Sequence, residues 1–371
     1  MDSERTLDKF LGSVIGAAVG DAVGAPMEFW KAERYGRIFG GDWVEDMYDF
    51  REMATHPLGL WRPDPPKGTS TDDTRLNQVL VEAILKHGLH LNAQFLAMEF
   101  IDRYLRRDEY YPGYGDLATR QFSYGYVGAC ALLGIECPLR QGVPPYVIQS
   151  HASGRGYPTA VGLYSMPAAG LLHPGDGEAT YKHAFELDYG DIGFARDAFA
   201  ILAAMIGLAF DESLSPREVI RKALQIDPYQ LDSARRRRAM VAWVEHCLDH
   251  ADAAQDDRDL VIRLSRDVAG EPAFGSRDLL GFATAAAYYA DGDPRRAILI
   301  AVNARDLDED GNLVRFRDID CTGSACGALV GAIAGLSAFP EDWVASCVGA
   351  NREVYGFDLE ANARALHETV L

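Results

Sequence analysis

Glycine recurs every fourth residue in two places, at Gly12, Gly16, Gly20 and Gly24 and again at Gly327, Gly331 and Gly335. On an α-helix that spacing puts the glycines of each run on one stripe. A glycine inside a helix costs about 1 kcal/mol against alanine, so such runs need a compensating contact. The contact that a bare stripe permits is close approach of another backbone. The pattern predicts two central helices packed tightly. The membrane-dimer reading of the same spacing is set aside, because Asp21 interrupts the first run and no apolar span looks long enough to cross a bilayer.

Acidic clusters sit at the starts of two predicted helices. Ser70, Thr71, Asp72, Asp73 and Thr74 lead into a helical pattern through Leu76, Val79, Leu80, Ala83 and Ile84. Asp318, Ile319, Asp320, Cys321 and Thr322 lead into Ala325, Ala328, Leu329, Ala332 and Ile333. Helix N-termini favour negative charge, so either cluster alone reads as ordinary capping. If folding brings both together, four carboxylates and a hydroxyl repel one another unless cations lie between them. Oxygen ligands of this kind suit Mg2+ or Mn2+, and their number allows two ions per chain. The first glycine run itself ends on two more carboxylates, Asp21 and Glu28.

These motifs resemble the ADP-ribosylglycohydrolase family. Residues 16–28 are similar to its GAxxGDAxGxPxE opening, residues 71–74 match its TDDT motif, and residues 318–320 match the start of its DxDT motif. Tyr114 and Gly115 fall where the family has a GYG turn, residues 297–303 resemble the helix before DxDT, and residues 339–343 resemble a terminal P-E-x-W. The similarity runs from about residue 8 to about residue 345 and implies one all-α domain over residues 1–371, an orthogonal helical bundle. It also implies a hydrolase of a ribosyl N- or O-glycosidic bond. Metal ligands by this resemblance are Thr71, Asp72, Asp73, Asp318, Asp320 and Thr322. Glu28 and Asp73 are the catalytic candidates, Asp21 is a structural acid bonding nearby amides, and Tyr114, Gly115, Gly154 and Gly156 are the substrate-binding candidates.

Two departures bear on substrate and metal. The family's middle segment supplies an arginine to the ribose pocket, whereas residues 163–170 place Tyr164 or Ser165 near that position. Arg155 is close enough in sequence to supply a cation from another direction. After the second acid of DxDT the family has a hydroxyl; here Cys321 stands there and Thr322 follows, about 100° further round the helix. A thiol is a soft ligand, poorly suited to Mg2+. The expected substrate is therefore either ADP-ribosylated or a smaller ribosylated metabolite or nucleoside. A non-catalytic member of the fold that binds a nucleotide-like ligand is the alternative from another class.

Composition agrees with an enzyme. The 371 residues are 48% hydrophobic, enough for a large core. A formal net charge of −19 argues against nucleic acid or an anionic membrane as partner. The start carries no signal-peptide pattern, so a cytoplasmic location is expected. The six cysteines form no CxxC pair and read as free thiols. Helical periodicity covers 7–24, 71–87, 91–106, 117–133, 190–210, 234–249, 276–290, 294–304 and 321–337, with no alternating strand pattern of any length.

Other features have plainer readings. The loop 56–69, with Trp61, Arg62 and Lys67, runs into the first acidic motif and is placed either as a lid or as a surface loop. Residues 306–311 copy half of a calcium loop, but Arg317 stands where the bidentate Glu belongs, so an acidic hairpin is expected. His246 and His250 lie four apart on a helix with no third ligand following. The run Arg235 to Arg238 covers all sides of a helix and reads as a solvated face or an oligomer contact. Tyrosines between Tyr104 and Tyr126 serve either to stack a base or to fill the core.

Overall fold

The computed structural model describes residues 3–51, 58–150, 159–232 and 237–371. Gly154, Arg155, Gly156, Arg235 and Arg236, singled out above, lie outside the described residues, as does the beginning of the 56–69 loop. The architecture is all-α. Each predicted helix is present, among them Ser3–Gly24, Asp72–His87, Ala93–Leu105, Gly115–Leu133, Phe194–Leu208, Ser276–Tyr289 and Ile319–Ala334. Helices with weaker apolar periodicity, Gly177–Leu187, Asp257–Asp267, Glu341–Tyr355 and Leu359–Val370, complete the outer layers. One apolar cluster extends from Phe10 to Leu366, so residues from both ends of the chain share a core.

The two glycine helices form the axis of that core and run antiparallel, with Gly12 facing Gly331, Gly16 facing Gly327 and Gly20 facing Gly323. A Cβ added to Gly16 would lie 2.5 Å from the carbonyl oxygen of Gly327, a distance no packing adjustment accommodates. The second stripe is thus Gly323, Gly327 and Gly331. Gly335, expected as its last member, instead ends the helix at φ +86°. The Ser3–Gly24 helix also corrects the expectation about length. It is long and apolar enough to cross a membrane, yet its 18-residue apolar window is buried throughout inside the fold.

Other expectations resolve locally. Residues 305–316 form a short antiparallel hairpin, Arg305–Leu307 with Leu313–Phe316. Asp308 Oδ1 is spent on the turn, accepting from the amides of Asp310 and Asn312. Asp306 is paired with Arg315 and Arg317. The carboxylates of Asp306 and Asp308 are thus used within the hairpin and its flank. Arg238, expected on a solvated face, is buried. Its guanidinium answers the buried carboxylate of Asp197 on Phe194–Leu208 and also bonds Tyr181, because an isolated ion there would be unaffordable. Its neighbour Arg237 is exposed and pairs with Glu245. The tyrosines divide: Tyr104 stacks on Tyr126 (centroids 4.2 Å apart) and Tyr111 lies in the core against Trp61 and Phe122.

Candidate metal centre

The helix Asp72–His87 begins without a cap of its own: Thr71 makes no side-chain cap bond. The cap comes from elsewhere. Asp21, near the end of the first glycine helix, accepts from the amide of Thr71 (2.9 and 3.0 Å), the amide of Thr74 (3.2 Å) and the hydroxyl of Thr74 (2.7 Å). With Asp21 satisfying these donors, Asp72 and Asp73 are left over. Thr71 Oγ1 lies 2.9 Å from Asp21 Oδ1 and 3.2 Å from Asp320 Oδ2, joining the two acidic motifs directly. Cys321 Sγ donates to Asp73 Oδ1 at 3.3 Å, a second link. The loop entering the motif is pinned by Tyr355, whose hydroxyl donates to Ser70 O, and by a Ser70–Asn351 bond.

Burial and mutual repulsion dominate the electrostatics. Burial, reinforced by Asp320, pushes Asp21 up to about 7 despite the bonds from Thr74 and Thr71. Burial likewise lifts Asp72 to about 7, against the pull of Arg75. Asp73 and Asp318 are driven well above the usual carboxylate range by burial and then by Asp320. Glu28 is raised in the same way, by burial and then by Asp320, Asp318 and Asp72. Six carboxyl groups from three helices and one turn therefore cannot all ionise in this volume without cations.

Do the residues fit a metal? Asp73 Oδ2 and Asp318 Oδ1 are buried and have no hydrogen-bond partner among the described residues. A buried carboxylate oxygen left unpaired is costly, and two of them facing one cluster fit a cation. The donor set is mainly carboxylate, which suits a hard divalent ion. Thr322, expected as a ligand, turns its hydroxyl onto its own helix, donating to Asp318 O at 2.8 Å. Cys321 stands in the site instead, its sulfur within 4.8 Å of ligand oxygens of Asp318 and Asp320.

The cluster forms the floor of a cavity of about 860 Å³, into which Glu28, Asp72, Asp318, Asp320 and Cys321 all face. That volume is ample for a nucleotide-sized ligand. Glu28 follows the turn Ala25–Met27, and the next residue, Phe29, has φ +55°. A non-glycine residue held there costs about 1–3 kcal/mol; the bend sets Glu28 and Phe29 side by side on the cavity wall. Tyr124, Tyr164, Phe274 and Arg140 also line the cavity.

Gln121 also reaches the cavity. Its Oε1 accepts from Arg75 Nε at 2.7 Å, and its buried Nε2 has no partner among the described residues. Arg75 is itself fully buried, bonded to Tyr355 and Gly59 O and stacked on Trp61 at 4.3 Å. Gln121, Arg140 and Phe274 were not singled out from the sequence. Only the helical phase of Gln121 and Tyr124 after the GYG-like turn could have pointed to the first.

The remaining expected residues lie further out. Tyr114 packs on Trp61 with centroids 5.4 Å apart, and Gly115 begins Gly115–Leu133. Neither lines the cavity; later residues of that helix do. Tyr164 is on the wall, whereas Ser165 is buried and bonds Val161 O within its own helix. In the 56–69 loop Leu58 touches the cavity, Trp61 is core, and Arg62 pairs with Glu353 at 2.8 Å.

The family model for ADP-ribosylglycohydrolase matches residues 2–370. Among solved structures, a chain described as an ADP-ribosylglycohydrolase-related protein complex superimposes with a TM-score of 0.61 at 21% identity, covering 99% of this chain and 100% of that one. At that identity the likeness concerns the fold. No curated protein matches.

Proposed function

This chain belongs to the ADP-ribosylglycohydrolase family, and from that premise we propose that it is a cytoplasmic, Mg2+- or Mn2+-dependent hydrolase of a ribosyl N- or O-glycosidic bond. The observation that carries the reading is the convergence of Glu28, Asp72, Asp318 and Asp320 on one cavity floor, with Asp73 buried beneath it against Cys321 and with Asp73 Oδ2 and Asp318 Oδ1 unpaired among the described residues. Thr71, Asp72, Asp73, Asp318 and Asp320 would hold the cations, with Cys321 beside them. Bound there, divalent ions supply Lewis-acid contacts to ribose hydroxyls and lower the pKa of water.

The chain's own groups do the rest. Cleavage of a glycosidic bond needs the sugar held rigid, a proton for the leaving group or taken from water, and a water on the opposite face. Glu28 carries its proton to higher pH than an ordinary carboxyl and faces the cavity, the property of a group able to hand a proton to a leaving group. Asp73 sits deeper, fixed by the Cys321 thiol on one oxygen, and orients whatever meets the other. The aromatic rings of Phe29, Tyr124 and Phe274 offer faces to a sugar or base. Arg140, whose guanidinium has no ion-pair partner among the described residues, offers a fork for an anionic group.

Replacement of the family's arginine by Tyr164 favours a substrate other than ADP-ribosyl-arginine. Losing one charge-assisted contact is worth about 1.5–3 kcal/mol, enough to re-rank substrates. The deciding experiment is a turnover screen with Mg2+ and Mn2+ across ADP-ribosylated amino acids, O-acetyl-ADP-ribose and simple nucleosides. Metal-dependent release of ribose or ADP-ribose is expected from at least one of them. Efficient cleavage of ADP-ribosyl-arginine above every smaller riboside would remove the specificity argument, and no turnover of any would favour the ligand-binding alternative.

A further inference from the structure

In sequence, His246 and His250 have each other and no third ligand; the fold supplies one. The helix Ala239–Ala253 lies against Asp257–Asp267, whose last residue brings Asp267 Oδ2 to 2.6 Å from His246 Nε2 and 2.6 Å from His250 Nε2. The two rings are 4.6 Å apart at 68°, and the three ligand atoms lie within 4.8 Å of one another. Both imidazoles thus aim the same nitrogen at one carboxylate oxygen, from side chains that remain partly open to solvent.

We propose that His246, His250 and Asp267 form a second cation site, separate from the acidic centre and selective for a zinc-class transition metal. As the residues stand, each Nε2 must carry a hydrogen to bond Asp267. One divalent cation could replace both hydrogens if the ligand atoms spread to about 3.3 Å, the edge of a tetrahedron with bonds of about 2.0 Å. Neither ring is locked against that small movement, since both sit on the outer side of their helix. Two imidazoles with one carboxylate suit Zn2+, in contrast to the carboxylate floor of the main cavity, which suits Mg2+ or Mn2+. The open side leaves a fourth position for water.

The site's place in the fold gives it a structural consequence. The opposite face of Ala239–Ala253 packs Met240, Val244, Cys247 and Leu248 into the core, so that helix is fixed. Asp267 ends the neighbouring helix, and seven residues later Phe274 lines the acidic cavity. A metal here ties the stem of that wall to a rigid helix. The Trp243 ring lies 5.7 Å from His246 and provides a nearby reporter.

The test uses full-length protein made without a histidine tag, stripped by chelator and then saturated with Mg2+ to load the acidic centre. Zn2+ bound per chain is measured by equilibrium dialysis with elemental analysis, and Co2+ is titrated separately while its visible spectrum and the tryptophan fluorescence are followed. One Zn2+ per chain is expected in wild type and in the Asp318→Asn/Asp320→Asn variant. His246→Ala and His250→Ala are each expected to weaken it at least tenfold, as is Asp267→Asn. If the His246→Ala/His250→Ala double variant binds Zn2+ as wild type does, or wild type binds none beyond the acidic centre, the trio is a hydrogen-bonded clamp and the proposal fails.

Discussion

Helix starts in this molecule are of two kinds. At Asn92, Asp176, Asp256, Asp293 and Asp358 the side chain at the boundary accepts from the amide three residues on, and each helix caps itself. At Asp72 and Asp318 it does not: neither acid-rich start has a side-chain cap of its own. Asp21 caps the first from another helix, and of the acids relieved of that work Asp72 faces the cavity while Asp73 lies buried against Cys321. The difference teaches how to tell a capping carboxylate from a functional one. An acid at a helix start whose donors are already satisfied by another side chain is free for other chemistry.

The largest effect expected from this contrast follows loss of the uncapped acids. Asp318→Asn with Asp320→Asn should reduce turnover to background and remove the rise in melting temperature that Mg2+ or Mn2+ produces. The metal-free fold should keep or gain stability, because like charges leave a small volume. Thermal melts with and without metal check both. Next, Glu28→Gln should lower kcat about 100- to 10,000-fold, the usual range for a lost general acid or base, with metal binding retained. A variant with wild-type pH–rate behaviour would assign that proton to another group.

Asp21→Ala removes the acceptor for two buried amides. Each unsatisfied donor costs about 1–3 kcal/mol, and relief of repulsion from Asp320 offsets part, so a net loss of about 3 kcal/mol is expected in urea denaturation. The pH dependence is a smaller handle. Asp21 and Asp72, raised to about 7, titrate near their ordinary value of 3.8 when unfolded. Between about pH 4 and pH 7 the unfolded chain therefore binds fewer protons, and metal-free stability should fall as pH rises through that window. Saturating Mg2+ should flatten this slope. Asp188, lifted to about 8 by burial and Asp191 away from the centre, should keep its share with metal present. The smallest effect belongs to a self-capped start. Asp358→Ala should cost about 1 kcal/mol and leave turnover unchanged.

The sequence carried the fold class because apolar periodicity and glycine spacing are local. It misled by one turn at the second stripe, since Gly335 continues the spacing although the helix has ended. Contacts across hundreds of residues were less legible. Nothing near Asp21 says that its oxygens meet Thr71 and Thr74, and nothing near His250 points to Asp267. Arg238 read as solvated because its partner Asp197 lies on a different helix. Within the site, the acids were visible as motifs, whereas the turn of the Thr322 hydroxyl back onto its own helix depends on helix phase at a single residue. Arg140 belongs to a segment with no motif, and Gln121 is marked only by its helical phase after the GYG-like turn.

The facing of Gly20 and Gly323 also sets an order of events during synthesis. The axis pairs residues about 300 apart, so at about 5–20 residues per second the first glycine helix waits on the order of 15–60 s for its partner to be made. Throughout that wait its bare stripe has nothing to lie against, and Asp21 has no second acidic motif beside it. The acidic centre is therefore a late product of translation. A nascent chain lacking the second acidic motif holds four of the six carboxyl groups with no Asp320 to close the cluster, and the candidate metal site is incomplete until both parts have met.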